Sequence, residues 1–350
     1  MTKKENRLYK FRWFFKLSFI LVIFLAFTGC SAQDMNSNTD IDTGILKVMY
    51  LDVGQGDSIL LESQGEAMLI DAGEAEKGDT VVSDIKAENI KELKYVIGTH
   101  PHSDHIGGLA QVIQTFKTGE VFLSDVTYNS KEYDNLLQVI GKEIKMTHPS
   151  AGDTYRLGNA SFTFVTPAKE DYGDNVNNYS LGIRLVNGKT SFLFTGDLEE
   201  KAEKDLALSG RNIEADVLKV NHHGSLTSSC PEFLKAVDPT YAMISCGKNN
   251  TYGHPAYATL AGLEEEDIQT YRTDLQGTIV ITSDGKNISV KTTGKIKDKK
   301  ADKSNELVYI TEKGNKYHRK DCKYIKGNYR SVSLKKAKEE GYEPCRVCKP

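Results

Sequence analysis

Two apolar patterns divide the chain. Near its start, Leu17 to Phe27 is almost wholly apolar, a run shorter than the ~20 residues that span a bilayer. From Ile45 the apolar residues instead come in short runs closed by glycine-containing turns, the mark of strands. Ile45–Val53, Ser58–Glu62 and Ala67–Asp71 read as three strands, Asp79–Ile90 as a helix and Leu93–Thr99 as a strand. Helices are predicted near Gly108–Phe116 and Lys131–Glu143, and strands at Ser161–Val165, Ser180–Val186 and Ser191–Thr195, the last two joined by the hairpin signal Asn187-Gly188. A helix over Leu198–Leu208 and strands at Ala215–Val220 and Tyr241–Ser245 follow. Thr278–Thr282 and Asn287–Thr292 close the series as a hairpin around Asp284-Gly285. Strands interleaved with helices predict a mixed α/β layered domain over 45–294. Residues 295–306, rich in Lys and Asp, read as a linker, and a compact segment follows at 307–350.

Lys3, Lys4, Arg7, Lys10, Arg12 and Lys16 precede the first apolar run, and small residues ending in Thr28-Gly29-Cys30 follow it. Basic, then apolar, then small describes a secretion signal. The Phe27–Cys30 end resembles the lipobox of bacterial lipoproteins, with Phe27 where Leu is usual. The resemblance implies a signal peptide over 1–30, lipid on Cys30, and a protein anchored to the outer face of the cell membrane. An uncleaved membrane anchor is the alternative, and it leaves the rest of the chain on the same side. Residues 31–44 read as a flexible tether.

The histidines do not look scattered. Of eight, His100, His102, His105, His222, His223, His254 and His318 stand beside Asp, Cys or Gly, and only His148 looks incidental. His100-Pro101-His102-Ser103-Asp104-His105 leaves a predicted strand and runs into Gly107-Gly108, which makes it a loop at a sheet edge. Residues two apart in an extended stretch point the same way, so His100 and His102 can grip one metal ion. The chain then turns, so that Asp104 and His105 can face a second. Imidazole nitrogen and carboxylate oxygen suit zinc, manganese or iron.

The His-x-His-x-Asp-His motif resembles that of the metallo-β-lactamase superfamily, over 45–294. More specifically, the chain is similar to the hydrolase domain of ComEC-type competence proteins and related secreted hydrolases. The matching pieces, in order, are Leu51-Asp52-Val53-Gly54-Gln55-Gly56-Asp57-Ser58, Leu69-Ile70-Asp71-Ala72-Gly73, Thr195-Gly196-Asp197, Asn221-His222-His223-Gly224-Ser225 and Tyr252-Gly253-His254-Pro255. The resemblance implies a four-layer αββα sandwich with its metal site at one edge of the paired sheets. It implies that His100 and His102 serve a first ion, that Asp104 and His105 serve a second, and that Asp197 bridges both with its two oxygens. His254 would complete the second site. His223, or its neighbour His222, would lie near the substrate to polarise it or protonate a leaving group, with Asp104 also in the catalytic group. The reverse roles for His223 and His254 remain open. Where the family supplies a further His to the first ion, this chain reads Asn177-Asn178-Tyr179-Ser180-Leu181. Asn178 is expected there as a weaker ligand, giving a weaker first site that suits manganese as well as zinc, or a one-metal enzyme. Asp57 and Asp71 are expected close by, Asp71 either orienting a ligand His or capping the Ala72-Gly73 turn.

Water activated by such ions needs no Ser or Cys nucleophile, and His223 fits a general acid. The expected function is phosphodiester hydrolysis of extracellular DNA. The alternatives are another ester (a teichoic-acid phosphodiester, a lactone or a thioester) and a non-catalytic surface lipoprotein that binds DNA. No protein partner is inferable. Charge cuts both ways. Residues 295–350 hold 17 basic and 8 acidic residues, a net +9 that suits a polyanion, whereas 31–294 is net −17. Bound metal offsets part of the latter.

His318-x3-Cys322 and Cys345-x2-Cys348 make a complete tetrahedral zinc set, in a segment small enough to need a staple. Lys316-Tyr317-His318 and Tyr342-Glu343-Pro344-Cys345 resemble the zinc-binding module of Ada-type DNA repair proteins. That resemblance implies one structural zinc and contact with DNA. A disulfide would leave one of the three cysteines unpaired, which favours metal. For Cys230 and Cys246 the sequence leaves buried thiols and a disulfide both open.

Overall fold

The structure, a computed structural model, describes residues 44–169, 171–294, 307–311, 314–320, 322–326 and 328–348. The expected signal peptide with Cys30, all but the last residue of the tether, and the 295–306 linker lie outside the described residues. Among the described residues no helix is long and apolar enough to cross a membrane.

Two sheets stack face to face. The first has eight strands in the order Ile288–Thr292, Ile279–Ser283, Leu46–Tyr50, Ile59–Ser63, Glu66–Ile70, Glu92–Gly98, Lys117–Leu123, Lys145–Thr147. The second has seven, in the order Gln269–Arg272, Tyr241–Ile244, Val217–Lys219, Thr190–Phe194, Gly182–Asn187, Ala160–Thr166, Thr154–Leu157. Each sheet is antiparallel on one side and parallel on the other, the change falling at Glu66–Ile70 in the first and Thr190–Phe194 in the second.

The alternation of strand side chains sorts the apolar residues into three layers. Leu46, Val48 and Tyr50 face the second sheet and meet Phe162, Phe192 and Phe194 in the central core. Met49 and Leu51 face outward and pack with Val81, Ile85, Leu109 and Leu136 from the helices Gly78–Ala87, Leu109–Thr115 and Lys131–Ile140. On the far side, Leu193 and Leu218 pack with Leu206, Phe233 and Leu263 from Glu200–Ala207, Pro231–Val237 and Tyr257–Glu265. Helix, sheet, sheet, helix is the four-layer αββα sandwich expected from the motifs.

Most predicted elements lie within two residues of their observed ends, and both expected hairpins are present. The strand Lys117–Leu123 was not predicted, because its first half is polar and its second half continuously apolar, so it shows no period of two. The edge strands Lys145–Thr147 and Thr154–Leu157 escaped for a related reason: they are partly exposed and carry little apolar pattern.

Residues of 307–348 form a third sheet, in the order Tyr329–Ser333, Leu307–Thr311, Lys316–His318, Glu343–Pro344, with the helix Leu334–Glu339. Val308, Ile310, Tyr317, Val332, Leu334 and Ala337 are its small core.

Phe192 is fully buried between the two large sheets and stacks on Phe194 at 6.4 Å. Phe192→Ala is expected to cost about 3–5 kcal/mol, read as a lowered urea midpoint of unfolding.

Candidate metal centre

Strand ends build the site. His100 follows Glu92–Gly98, Asp71 follows Glu66–Ile70, Asp197 follows Thr190–Phe194, and Asn221-His222-His223 follow Val217–Lys219. These ends meet at one edge of the sandwich. Among the described residues, side-chain ligand atoms gather there in overlapping sets: His100, His105 and Asp197; Asp104, His105 and His223; Asp57, Asp197 and His223.

Hydrogen bonds fix which ring nitrogens face inward. Asp71 accepts from the Thr99 amide (2.8 Å), from Thr99 Oγ1 (2.7 Å) and from His105 Nδ1 (2.8 Å). Asp71 has φ +57°, a left-handed backbone that aims the carboxylate back at these donors. His223 Nδ1 donates to the Ser245 carbonyl at 3.0 Å. Thr99 Oγ1 donates to Asp71 and Ser180 Oγ donates to the Asn177 carbonyl (2.7 Å). Both hydroxyls can therefore only accept from His100 Nδ1, at 3.1 and 3.3 Å. Three buried rings thus spend their Nδ1 hydrogens on the scaffold and turn Nε2 lone pairs inward.

Those of His105 and His223 face oxygen. Asp197 Oδ2 lies 3.2 Å from His105 Nε2 and 3.3 Å from His223 Nε2. Asp104 Oδ2 lies 3.3 Å from His223 Nε2, and His100 Nε2 lies 3.1 Å from His102 Nδ1. His105 Nε2 and His223 Nε2 have no hydrogen-bond partner although buried. A lone pair facing a carboxylate at this distance is repulsive unless a proton or a metal cation stands between them. Burial pulls the His105 and His223 pKa values down, but Asp197 and the other carboxylates raise both well above the ordinary imidazole value. Burial likewise favours a neutral Asp197, but His105, His223 and Lys219 hold it well below the carboxylate range. The same field draws in a divalent cation, and the donor set of imidazoles and carboxylates fits zinc or manganese.

Three expectations change. The structure puts His223, not His254, among the acidic oxygens. His254 is only half-buried and stands to one side, its ring 6.2 Å from that of His223 and stacked on exposed Tyr252 at 5.7 Å. Burial first, then His223 and His222, pushes its pKa down to about 4. His222 is also half-buried, with Nε2 3.8 Å from Asp197 Oδ2. Asn178 is a brace: its Oδ1 accepts the Glu199 amide at 3.0 Å and so fixes the turn after Asp197. Third, the two oxygens of Asp197 do not both face the imidazoles, since Oδ1 points at Lys219, 3.6 Å away.

The Gly54-x-Gly56 loop has a packing role. Gly56 has φ +120°, and a side chain there would strike the Asp104 backbone, to which the Asp57 amide donates at 3.1 Å. Asp57 thereby sits behind the rings, 3.4 Å from His223 Nδ1 and 3.8 Å from His105 Nδ1.

Two residues of the site escaped sequence analysis. Lys219 is buried and ion-pairs with Asp57. Its signal was a charge inside the otherwise apolar stretch Val217–Val220, directly before Asn221 and the histidines. Glu203 is buried on the helix Glu200–Ala207 and accepts from Asn221 Nδ2 (2.8 Å) and the amides of Ser229 (2.7 Å) and Cys230 (2.8 Å). It clamps a strained loop, for His222 and His223 both carry left-handed φ, +49° and +53°, at a cost of about 1–3 kcal/mol each. Cys230 and Cys246 are free buried thiols, which burial pushes up to about 12.

In the third sheet, His318, Cys322, Cys345 and Cys348 bring one ligand atom each within 4.8 Å of one another. The Arg319 amide donates to Cys348 Sγ at 3.4 Å.

Paired sheets that gather imidazoles and carboxylates at one edge are the framework of a metal-dependent hydrolase. The chain belongs to the metallo-beta-lactamase superfamily, which residues 51–248 match. It is 33% identical over 252 residues to ComE operon protein 3 of Bacillus subtilis, covering 67% of this chain and 32% of that protein. It is 31% identical over 234 residues to competence protein ComA of Neisseria gonorrhoeae, covering 66% of this chain and 31% of that protein. The chain therefore spans about a third of these relatives' length. The metallo-beta-lactamase fold protein YhfI of Bacillus subtilis aligns with TM-score 0.47 at 15% identity, over 68% of this chain and all of that one.

Removing the Glu203 carboxylate strands three buried donors, each worth about 1–3 kcal/mol. Glu203→Ala is expected to lower unfolding free energy by at least ~3 kcal/mol and to reduce bound metal. Glu203→Gln, which keeps an acceptor, is expected to lose less on both measures.

Proposed function

We propose that the chain is a phosphodiesterase that cleaves DNA outside the cell. The observation that carries the metal-dependent part is the pair of buried, unpartnered nitrogens, His105 Nε2 and His223 Nε2, facing Asp197 Oδ2. The nucleic-acid part is supported by the competence relatives and by the basic residues of 295–350.

His100 and His102 would hold cation at one end of the cluster, and Asp104, His105 and His223 at the other, with Asp197 Oδ2 between them. When bound, zinc or manganese supplies an activated water and neutralises charge on the oxygens of an in-line displacement. Asp71 and the Ser245 carbonyl keep His105 and His223 in the ligand tautomer. His222 and His254, at the half-exposed side, are placed to donate a hydrogen to a substrate oxygen, and exposed Tyr252 beside His254 offers a flat apolar face. The secretion signal and Cys30 would carry the enzyme to the outer face of the cell membrane as a lipoprotein. His318, Cys322, Cys345 and Cys348 would hold a structural zinc.

Purified protein is to be assayed on plasmid DNA and bis-p-nitrophenyl phosphate with manganese, zinc or chelator, beside His105→Ala and Asp197→Ala. Metal-dependent DNA cleavage that falls to background in both variants is expected. Cleavage of the small diester without DNA cleavage would move the reading to another phosphodiester, such as teichoic acid. No activity on either, with metal bound, would leave lactones and thioesters. Cys345→Ser is expected to remove one zinc per chain in elemental analysis while the cluster around His105 keeps its metal.

A further inference from the structure

Lys219 is an unexpected residue for its position. It ends the interior strand Val217–Lys219, where all three residues are buried. Val217 faces the central core and Leu218 the outer helices, so alternation turns Lys219 inward, between the sheets, at the edge that carries the site. An apolar side chain would fill this position without the cost of burying an ammonium. What the ammonium touches accounts for it. Nζ ion-pairs with Asp57, donates to the Gly196 carbonyl at 3.2 Å and lies 3.6 Å from Asp197 Oδ1. Two acceptors, Asp57 and the Gly196 carbonyl, lie within hydrogen-bond reach of the ammonium, and its charge also faces Asp197 Oδ1.

We propose that Lys219 is a positioning residue of the metal centre, whose ammonium occupies Oδ1 of Asp197 and so presents Oδ2 alone to the cations. The proposal rests on the reading of the His/Asp cluster as a metal site. Its ground is the divergence of the two carboxylate oxygens. Oδ2 faces the Nε2 atoms of His105, His223 and His222 at 3.2, 3.3 and 3.8 Å, while Oδ1 faces Lys219 and has no hydrogen-bond donor. Lys219 also holds the carbonyl of Gly196, the residue before Asp197, so it fixes both the backbone and the rotation of that carboxylate. Asp197 would then offer one oxygen to metal.

The alternative is that Lys219 merely neutralises Asp57. Three variants separate the two: Lys219→Met with Asp57→Asn, which removes the buried pair together; Asp57→Asn alone, which leaves the ammonium on Asp197; and Lys219→Met alone. Each is loaded with cobalt, and stoichiometry, affinity by chelator competition and visible absorption are measured. The double variant is expected to melt near wild type, yet to bind cobalt at least about tenfold more weakly, as loss of a residue supporting a ligand does. Its absorption bands should shift as Asp197 turns both oxygens inward. Asp57→Asn alone should keep the wild-type bands and lose less affinity. Wild-type bands and affinity in the double variant would overturn the proposal. So would an Asp57→Asn variant that loses as much as the double one, and this second comparison holds even if Lys219→Met fails to fold. Wild-type protein that binds no cobalt at this cluster would instead remove the metal-site reading itself.

Discussion

Charge taken out of water must be answered inside the protein, and here four carboxylates, Asp57, Asp71, Asp104 and Asp197, converge at one sheet edge. Apolar layers above and below them strengthen every repulsion. The scaffold answers three of the four in part with its own groups: Thr99 and His105 for Asp71, and Lys219 for Asp57 and, at 3.6 Å, for Asp197. What remains is a deficit of positive charge on the inner side of the imidazoles. The site is organised around that deficit, and the preference for a divalent ion is a property of the fold before any ligand bond is formed.

The loop of His222 and His223 shows what holding such groups in place requires. Two successive left-handed residues are unfavourable, and a Gly in either position would remove the strain along with the ring. The strain is met from behind by Glu203, Asn221 and Thr195, whose bonds form a rigid backing one layer away from the rings. Glu203 lies on the helix Glu200–Ala207, so a helix that contributes no ligand still helps determine where His223 stands.

The legible parts of the site were local ones. His100 to His105 could be read because strand and turn geometry arranges residues that are adjacent in sequence. The layered fold could be read because most strands carry their own turn signals. Relations between distant segments were not legible. The positions of His223 and His254 depend on where the segment after the strand Tyr241–Ile244 crosses the edge, and no spacing records that. The role of Asn178 depends on a backbone amide 21 residues away. Lys219 and Glu203 were visible as charges next to apolar residues, but their partners, Asp57 and the Ser229–Cys230 amides, come from elsewhere in the chain. The strand Lys117–Leu123 was missed because its first half is polar and exposed and only its second half is buried, as a continuous apolar run, so no alternation marks it.

The strand register has a practical side. Leu46 pairs with Ser283 at one end of the first strand, and Tyr50 pairs with Ile279, itself opposite Thr292, at the other. The imidazole edge lies beyond Tyr50, where Asp52 accepts no strand partner but donates its amide to Thr278. The polypeptide therefore enters this sandwich on the side away from the histidines and leaves it beside them. Surface immobilisation through a handle placed ahead of residue 44 would leave the reactive edge facing the solution. A bulky fusion placed directly after residue 294 would crowd that edge.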